Sequence, residues 1–516
     1  MAAGTMLVTA CGARSWPPNS TRPPHTGPSA GRQLAPDAAR LFRLASLHPG
    51  TDLDCYAATA LAGGPVTQGR RLLDALARAY LVQRVGPGRY GMHDLLRAYA
   101  RELAAADGDQ RQALTRLFDY YLSAAGAAMD VMYPAERRHR PRIPQPLTGM
   151  PPTASPAQAR AWLDRERDNL VAVVVHAAAH GWPGHATRMA ATLYRYLQTG
   201  GYYPEAVTVY GCASDVARQA GDQGEQARAL RSLGVADMRQ ARYEQAADRL
   251  GQAVTLYRDA KDQEGEARAL ADLGIVYFRQ GRLPEAGDHY RQALALFRNS
   301  GDRAGEAHTL GNLAGLDFQQ GRYQQAARRV RRSLVLFRAL GDRLGEAYTL
   351  SNLGGIDLRQ GRYQAAARHL GQALALCREV GHREGEASAL SGLGEADLRQ
   401  ARYRQAVGHL RQALALFRET GNHSGEVQVL NSLGEALIGD GQASRAARYY
   451  TDGLALASRI GETYAQASAH DGLGRVHASA GDLGQARSHW RQALALYTSL
   501  GAPEAQQVRA HLEARG

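Results

Sequence analysis

The stretch that decides the fold is residues 301–340, GDRAGEAHTLGNLAGLDFQQGRYQQAARRVRRSLVLFRAL, because residues 341–380, GDRLGEAYTLSNLGGIDLRQGRYQAAARHLGQALALCREV, repeat its pattern. Gly301, Gly341, Gly381, Gly421 and Gly461 mark the same point every 40 residues. A fixed period of that size is the signature of a solenoid, in which one unit cannot bury its apolar face alone and stacking supplies the core. Seven full units run from Gly221 to Leu500, residues 181–220 follow the frame more loosely with Leu193, Tyr203 and Ala206 in register, and residues 501–516 read as a capping helix.

Each unit reads as two helices. Gly341 or Gly381 follows an apolar run that ends in a basic turn, as a residue just past a helix end should, and Asp342 or Asn422 is then placed to cap the next helix. The second break is Gly-Arg-Tyr, at 321–323 and 361–363. Both connections are short, so neighbouring helices must be antiparallel. The pattern Leu350, Leu353, Gly354, Ala366, Leu370, Ala373 recurs as Leu270, Leu273, Gly274, Ala286, Tyr290, Ala293, with large residues filling the layer between helices and Gly or Ala where backbones cross. Over residues 181–516 this resembles the tetratricopeptide repeat, in the 40-residue form of bacterial regulators and peptide-pheromone sensors. It lacks the usual proline after the second helix, a departure that bears on pitch and leaves the fold class unchanged. The expectation is an all-α superhelix of seven to eight helix pairs, curved so that the first helices line a concave face.

By repeat phase, the residues one and two before the Leu-Gly step point into that face: Arg231 and Ser232, Asp272, Asn312, Ser351 and Asn352, Asn431 and Ser432. One turn away stand Arg228, Arg268, His308 and Tyr348 on one side, and Arg239, Arg279, Arg359 and Arg399 on the other. An Asn side chain offers donor and acceptor to an extended backbone, and an arginine fork suits carboxylates. The set fits a protein or peptide partner with an acidic segment. Residue by residue, the same side chains also fit an ordinary solvated helix surface.

Composition narrows the class. The chain of 516 residues is 44% hydrophobic and 22% charged, enough for more than one globular domain. Net charge is +13, and the excess is concentrated in residues 1–160. Arginine supplies all the basic residues except Lys261. Cys11, Cys55, Cys212 and Cys377 lack metal or redox spacing and are too few for a disulfide scaffold, which points to the cytoplasm. No apolar run reaches the length of a membrane span. No carboxylate pair, Ser/His/Asp set or ligand spacing stands out, so catalytic residues, a cofactor and a metal are not expected. Residues 1–35, rich in Pro, Ser and Gly, are expected to be disordered.

Residues 36–106 have another texture. PDAARLFRLASLH, DLDCYAATALAG and TQGRRLLDALARAYLV read as three helices, and Gly86-Pro87-Gly88 as a turn between two strands before a last helix. That order predicts a small winged-helix domain. A linking helix over 107–133, a Pro- and Arg-rich linker over 134–154 and a helical lead-in with a degenerate first repeat over 155–220 follow, Ser155 and Pro156 opening the lead-in helix.

Together LFRLASLHPGTDLDCYAATALAG, GRYGMHDLLRAYAREL and WLDRERDNLVAVVVHAA resemble the C-terminal half of AfsR/SARP-type regulators, which are STAND proteins carrying an NB-ARC ATPase, a winged helix and tetratricopeptide repeats. The resemblance implies that Met92, His93 and Asp94 are a nucleotide sensor, with His93 on the β-phosphate of ADP. This chain departs from the family there: no GxxxxGK[ST] loop occurs, and the sole lysine lies in the repeats. A structural role fits better, with Asp94 capping the helix that follows and His93 packed at the strand end. Two functional readings stay open beside that of a non-enzymatic adaptor. One is a DNA-binding regulator using Arg70, Arg71 and Arg78, with Arg84 and Arg89 in the wing. The other is a nucleotide-responsive switch whose ATPase is supplied elsewhere.

Overall fold

The computed structural model describes residues 34–105, 108–134, 137, 140, 141, 143 and 149–514. The expected disorder of residues 1–35 falls almost wholly outside these, as do Cys11 and most of the linker between 135 and 148. The chain divides into two compact units, Met1–Gln240 and Ala241–Gly516, and the division falls inside the first full repeat.

The first unit opens with α1 (Pro36–Ala45), β1 (Asp52–Leu53), α2 (Cys55–Ala62), α3 (Val66–Arg78), β2 (Gln83–Gly86), β3 (Arg89–Gly91) and α4 (Asp94–Ala104). The strands form an antiparallel sheet in the order β1-β3-β2, with Leu53 opposite Tyr90 and Arg84 opposite Tyr90 from the other side. Strand β1 lies inside a segment that the sequence predicts as helix. Asp52 and Leu53 pair with β3 instead, and α2 starts only after Asp54, whose carboxylate accepts the Ala57 amide at 2.8 Å. Then come α5 (Gln110–Met132), α6 (Pro156–Ala179), α7 (Pro183–Thr199), α8 (Tyr203–Gln219) and α9 (Gln223–Arg239). Ser155 caps α6 through its hydroxyl, which accepts the Gln158 amide at 3.3 Å, and Pro156 sits at the first position.

The second unit is α10 (Tyr243–Asp259), α11 (Gln263–Arg279), α12 (Leu283–Ser300), α13 (Arg303–Gln319), α14 (Tyr323–Leu340), α15 (Arg343–Arg359), α16 (Tyr363–Glu379), α17 (Arg383–Leu398), α18 (Tyr403–Thr420), α19 (His423–Gly439), α20 (Ala443–Ile460), α21 (Thr463–Ser479), α22 (Leu483–Ser499) and α23 (Glu504–Glu513). Its punctuation is local chemistry. Gly341 ends α14 in the left-handed conformation at φ 68°, and Asp342 then accepts the Gly345 amide at 2.8 Å. A Cβ on Gly345 would lie 2.4 Å from the Phe337 ring, so this glycine lets each capped turn close onto the preceding helix. Lys261 holds the left-handed conformation at the place of Gly341, and Ala241 and Ala401 hold it at the place of Gly321 in the other turn of the unit, where a Cβ is costly.

Consecutive helices pack as antiparallel pairs, α11 with α12 through α21 with α22. The first helices α11, α13, α15, α17, α19 and α21 also pack each on the next first helix, whereas the second helices have no comparable contact with one another. The first helices are therefore the crowded, inner row. This unit is an all-α stack of tetratricopeptide type, and its core runs between the rows through Leu350, Leu353, Leu370, Leu390 and Leu410 and their equivalents. Among the described residues no helix is long and apolar enough to cross a membrane.

Candidate functional site

The open face of the first helices in the second unit is the candidate site. On α15, Tyr348, Asn352, Gly355 and Arg359 follow one another at helical spacing of three to four residues, so they share a stripe. Tyr348 is 49% exposed, although its side chain is large and aromatic. Its hydroxyl meets His382 Nε2 of the next repeat at 3.0 Å. Above Gly355 there is open space. On α13 the corresponding stripe is His308, Asn312, Gly315 and Gln319, again with open space at the glycine.

The arginines that share one repeat phase do not share one state. Arg279 and Arg359 are exposed and have no carboxylate partner among the described residues. Arg399 is held by Glu395 at 2.6 Å, with Glu435 at 3.8 Å. Arg268 is paired with Glu264. Arg359 projects far enough that its charge acts on the hydroxyl of Tyr464 in α21, three repeats on. Burial and the Glu504 carboxylate outweigh it and push that phenol up to about 12.

Asn431 departs from the expectation of a groove-lining amide. It is 9% exposed, and its Nδ2 donates to the Ala465 carbonyl at 3.0 Å, so it joins α19 to α21. Asn352 is exposed and Asn312 half-buried on the open face. In the first unit Arg228 is tied to Glu225 at 2.6 Å, Arg231 is half-buried and Arg239 is exposed.

Two recurrent ionic motifs went unread in the sequence. In one, an arginine near the end of five successive second helices meets a glutamate in the next first helix: Arg258–Glu266, Arg298–Glu306, Arg338–Glu346, Arg378–Glu386 and Arg418–Glu426, at 2.7 to 2.9 Å. The Gly-Glu step at the same frame position, ending in Glu266, Glu306, Glu346, Glu386 and Glu426, is its signal in the sequence. The Arg378 guanidinium holds the Glu386 carboxyl below its ordinary value. In the other, a buried aspartate is clamped between an arginine and a second base: Asp317 by Arg322 and Arg329, Asp357 by Arg362 and His369, Asp397 by Arg402 and His409.

The sequence-predicted residues at the front separate as well. Arg70, Arg71 and Arg78 are exposed on α3. Arg84 is tied to Asp74 at 2.6 Å. Arg89, expected in the wing, is 7% exposed and enters an enclosed network instead, hydrogen-bonded to Glu166 and Asp52. Glu166 also accepts from Asn169 Nδ2 at 2.8 Å and from the Tyr121 hydroxyl at 3.4 Å, and Tyr121 meets His48 Nε2 at 2.8 Å. Burial drives the His48 imidazole down to about 4, so it is neutral here. The expected capping by Asp94 is corrected: Asp94 is already helical, and His93, with extended backbone at ψ 142°, is the cap. His93 is exposed, not packed, and its Nδ1 accepts the Leu95 amide at 3.4 Å, while Met92 is buried.

The tetratricopeptide repeat pattern matches residues 265–339, 345–419 and 385–459. The fold is a tetratricopeptide-repeat array. The regulatory protein AfsR of Streptomyces griseus is 33% identical over 218 residues, 42% of this chain and 22% of that protein. The regulatory protein AfsR of Streptomyces coelicolor is 35% identical over 153 residues, 28% of this chain and 15% of that protein. The chain thus spans less than a quarter of the length of these curated relatives. Among solved structures, a Signal Transduction ATPase with Numerous Domains (STAND) protein with a tetratricopeptide repeat sensor, from Pyrococcus horikoshii, covers 94% of this chain and 66% of its own at a TM-score of 0.62 and 14% identity, which is a likeness of fold.

Proposed function

We propose that the protein is a non-enzymatic regulatory adaptor, and that the inner row of the second unit holds an extended segment of a protein or peptide that carries acidic side chains. The observation that supports this most is the stripe on α15, where an aromatic ring, an amide, bare backbone and an uncompensated guanidinium stand in line. Each has a complement in an extended acidic chain: a side chain against Tyr348, the peptide backbone against Asn352, close approach at Gly355 and a carboxylate at Arg359. Arg279 supplies a second cationic point two repeats earlier. Of the four arginines sharing this phase in the frame, these two are the electrostatic anchors, since Arg399 is already neutralised and Arg239 belongs to the first unit. The regulatory half of the reading draws on the relatives named AfsR.

Residues 36–104 fit a winged helix by their element order, with His93 as the cap and Asp94 as the first residue of its last helix. As a DNA reader this region is the weaker candidate, because Arg89 is enclosed and Arg84 is paired, which leaves the wing without a free arginine.

The test is an array of extended peptides in which Asp and Glu alternate with their amide counterparts, probed with the full chain. Retention of acidic peptides by wild type, slower and less salt-sensitive association in Arg279→Glu and Arg359→Glu, and faster dissociation in Asn312→Ala with Asn352→Ala are expected. Equal retention of acidic and amide peptides, or variants that match wild type, would refute the proposal.

A further inference from the structure

The last repeat breaks the frame in a concentrated way. At the tenth position of the frame the five preceding repeats of the second unit bury Leu270, Leu310, Leu350, Leu390 and Leu430, and the last carries His470. The clamp motif changes there too. Where earlier repeats carry Asp357, Arg362 and His369, or Asp397, Arg402 and His409, the last carries His477, Asp482 and His489. The carboxylate that faces the imidazole in those repeats is replaced by another imidazole. As a result His470 Nδ1 and His489 Nδ1 lie 3.0 Å apart, with ring centroids at 5.2 Å. His477 stacks on His489 at 5.4 Å and 13°, and its own Nδ1 is 3.9 Å from the Asp482 carboxylate.

We propose that His470 and His489 form a two-imidazole site for a divalent first-row cation of the zinc, nickel or copper type, which clamps α21 to α22 in the last repeat. Two ring nitrogens this close share one proton in the free protein, one donating to the other's lone pair, and on metal binding the donor ring carries its proton on Nε2 instead, so that both Nδ1 lone pairs are free for the ion. With metal–nitrogen bonds of about 2.0–2.1 Å, an ion equidistant from both subtends roughly 90°, the cis angle of tetragonal and octahedral sites. Each ring would aim its lone pair at the ion by turning about its soft outer torsion. Among the described residues no three His, Cys, Asp or Glu groups converge on one point, so water completes the coordination. His477 packs flat against His489 as a neighbour and not as a ligand.

The test uses the full chain stripped with chelator, titrated calorimetrically with Ni²⁺ and melted with and without it. The variant His470→Leu restores the residue of the other repeats and keeps the fold. Nickel binding at this site should weaken at least about tenfold in His470→Leu and in His489→Gln, and the nickel-dependent rise in Tm should vanish in both. The variant His180→Gln, which removes the stacked His176–His180 pair of the first unit, should keep both signals. Equal binding and equal Tm shifts in wild type, His470→Leu and His489→Gln overturn the site. So does a wild type whose Tm ignores nickel, the result expected of a pair that only shares a proton.

Discussion

The second unit ties its helices with ion pairs that recur at a constant chain offset, whereas the first ties its elements with one enclosed network whose members come from distant segments. Arg338 and Glu346 are eight residues apart, as are their four equivalents. Arg89 and Glu166 are 77 apart, and Asn169 reaches the Asp52 carbonyl across 117. The recurring pairs keep the arginine half in water, so each adds a modest increment and the loss of one leaves little stranded. The enclosed network has removed Arg89, Glu166, Asn169, Tyr121 and His48 from solvent and leaves only Asp52 partly exposed, so taking away a buried member strands its partners. One design distributes its cost along the chain; the other concentrates it.

The largest effect should therefore come from Glu166→Ala. Glu166 is 1% exposed and is a common partner of Arg89, Asn169 and Tyr121. A loss of about 3–5 kcal/mol is expected in the first unit, read as faster amide exchange in α5 and α6 with α15 to α19 unchanged. Exchange that rises equally in both units would mean that the network is not confined to the first.

Next comes overpacking in the periodic unit. A Cβ on Gly354 would lie 2.5 Å from Leu370 Cγ, and valine adds two methyls beyond it. Gly354→Val should cost about 1–3 kcal/mol and open residues 340–380 to limited proteolysis. An unchanged digest would show that the pair α15–α16 can part without loss.

The smallest effect belongs to a single rung of the recurring pairs. Glu386→Gln should cost about 1 kcal/mol, and the cost depends on pH. Because Arg378 lowers the folded-state pKa of Glu386 below its ordinary 4.5, the rung contributes fully above that value and is lost as pH falls through the folded pKa. Wild type and variant should thus differ at pH 7 and converge in acid, as followed by denaturant titration. A gap that stays constant down to pH 3 would assign the effect to packing.

Much of the second unit is legible in its sequence. The caps at Asp342 and Asn422, the left-handed turn at Gly341 and the close crossing at Gly354 depend on a few residues in sequence, and each residue type there has few alternatives. The face of the first helices was legible by phase, but its chemistry was legible only in part. Arg359 and Arg399 share one frame position, but the residue four before is Gly355 in one repeat and Glu395 in the other, and Glu395 ties Arg399. Asn352 and Asn431 differ by one step in phase, and that step takes the amide from the open face to a bond with Ala465. At the front, Arg89 looked like a wing residue because its neighbours Gly86, Pro87 and Gly88 make a turn, and nothing nearby in sequence announces Glu166.

The sequence by itself determined the helix pairs, their ends, their antiparallel stacking and the row that faces inward. Those follow from the period of apolar residues and from backbone groups that must be capped within a turn, both local constraints. Only the tertiary structure decided which histidines meet in the last repeat and which arginine is enclosed with Glu166. An ion pair or a shared proton depends on a separation of about 3 Å between groups, and a chain of this length brings such groups together from positions that no spacing rule connects.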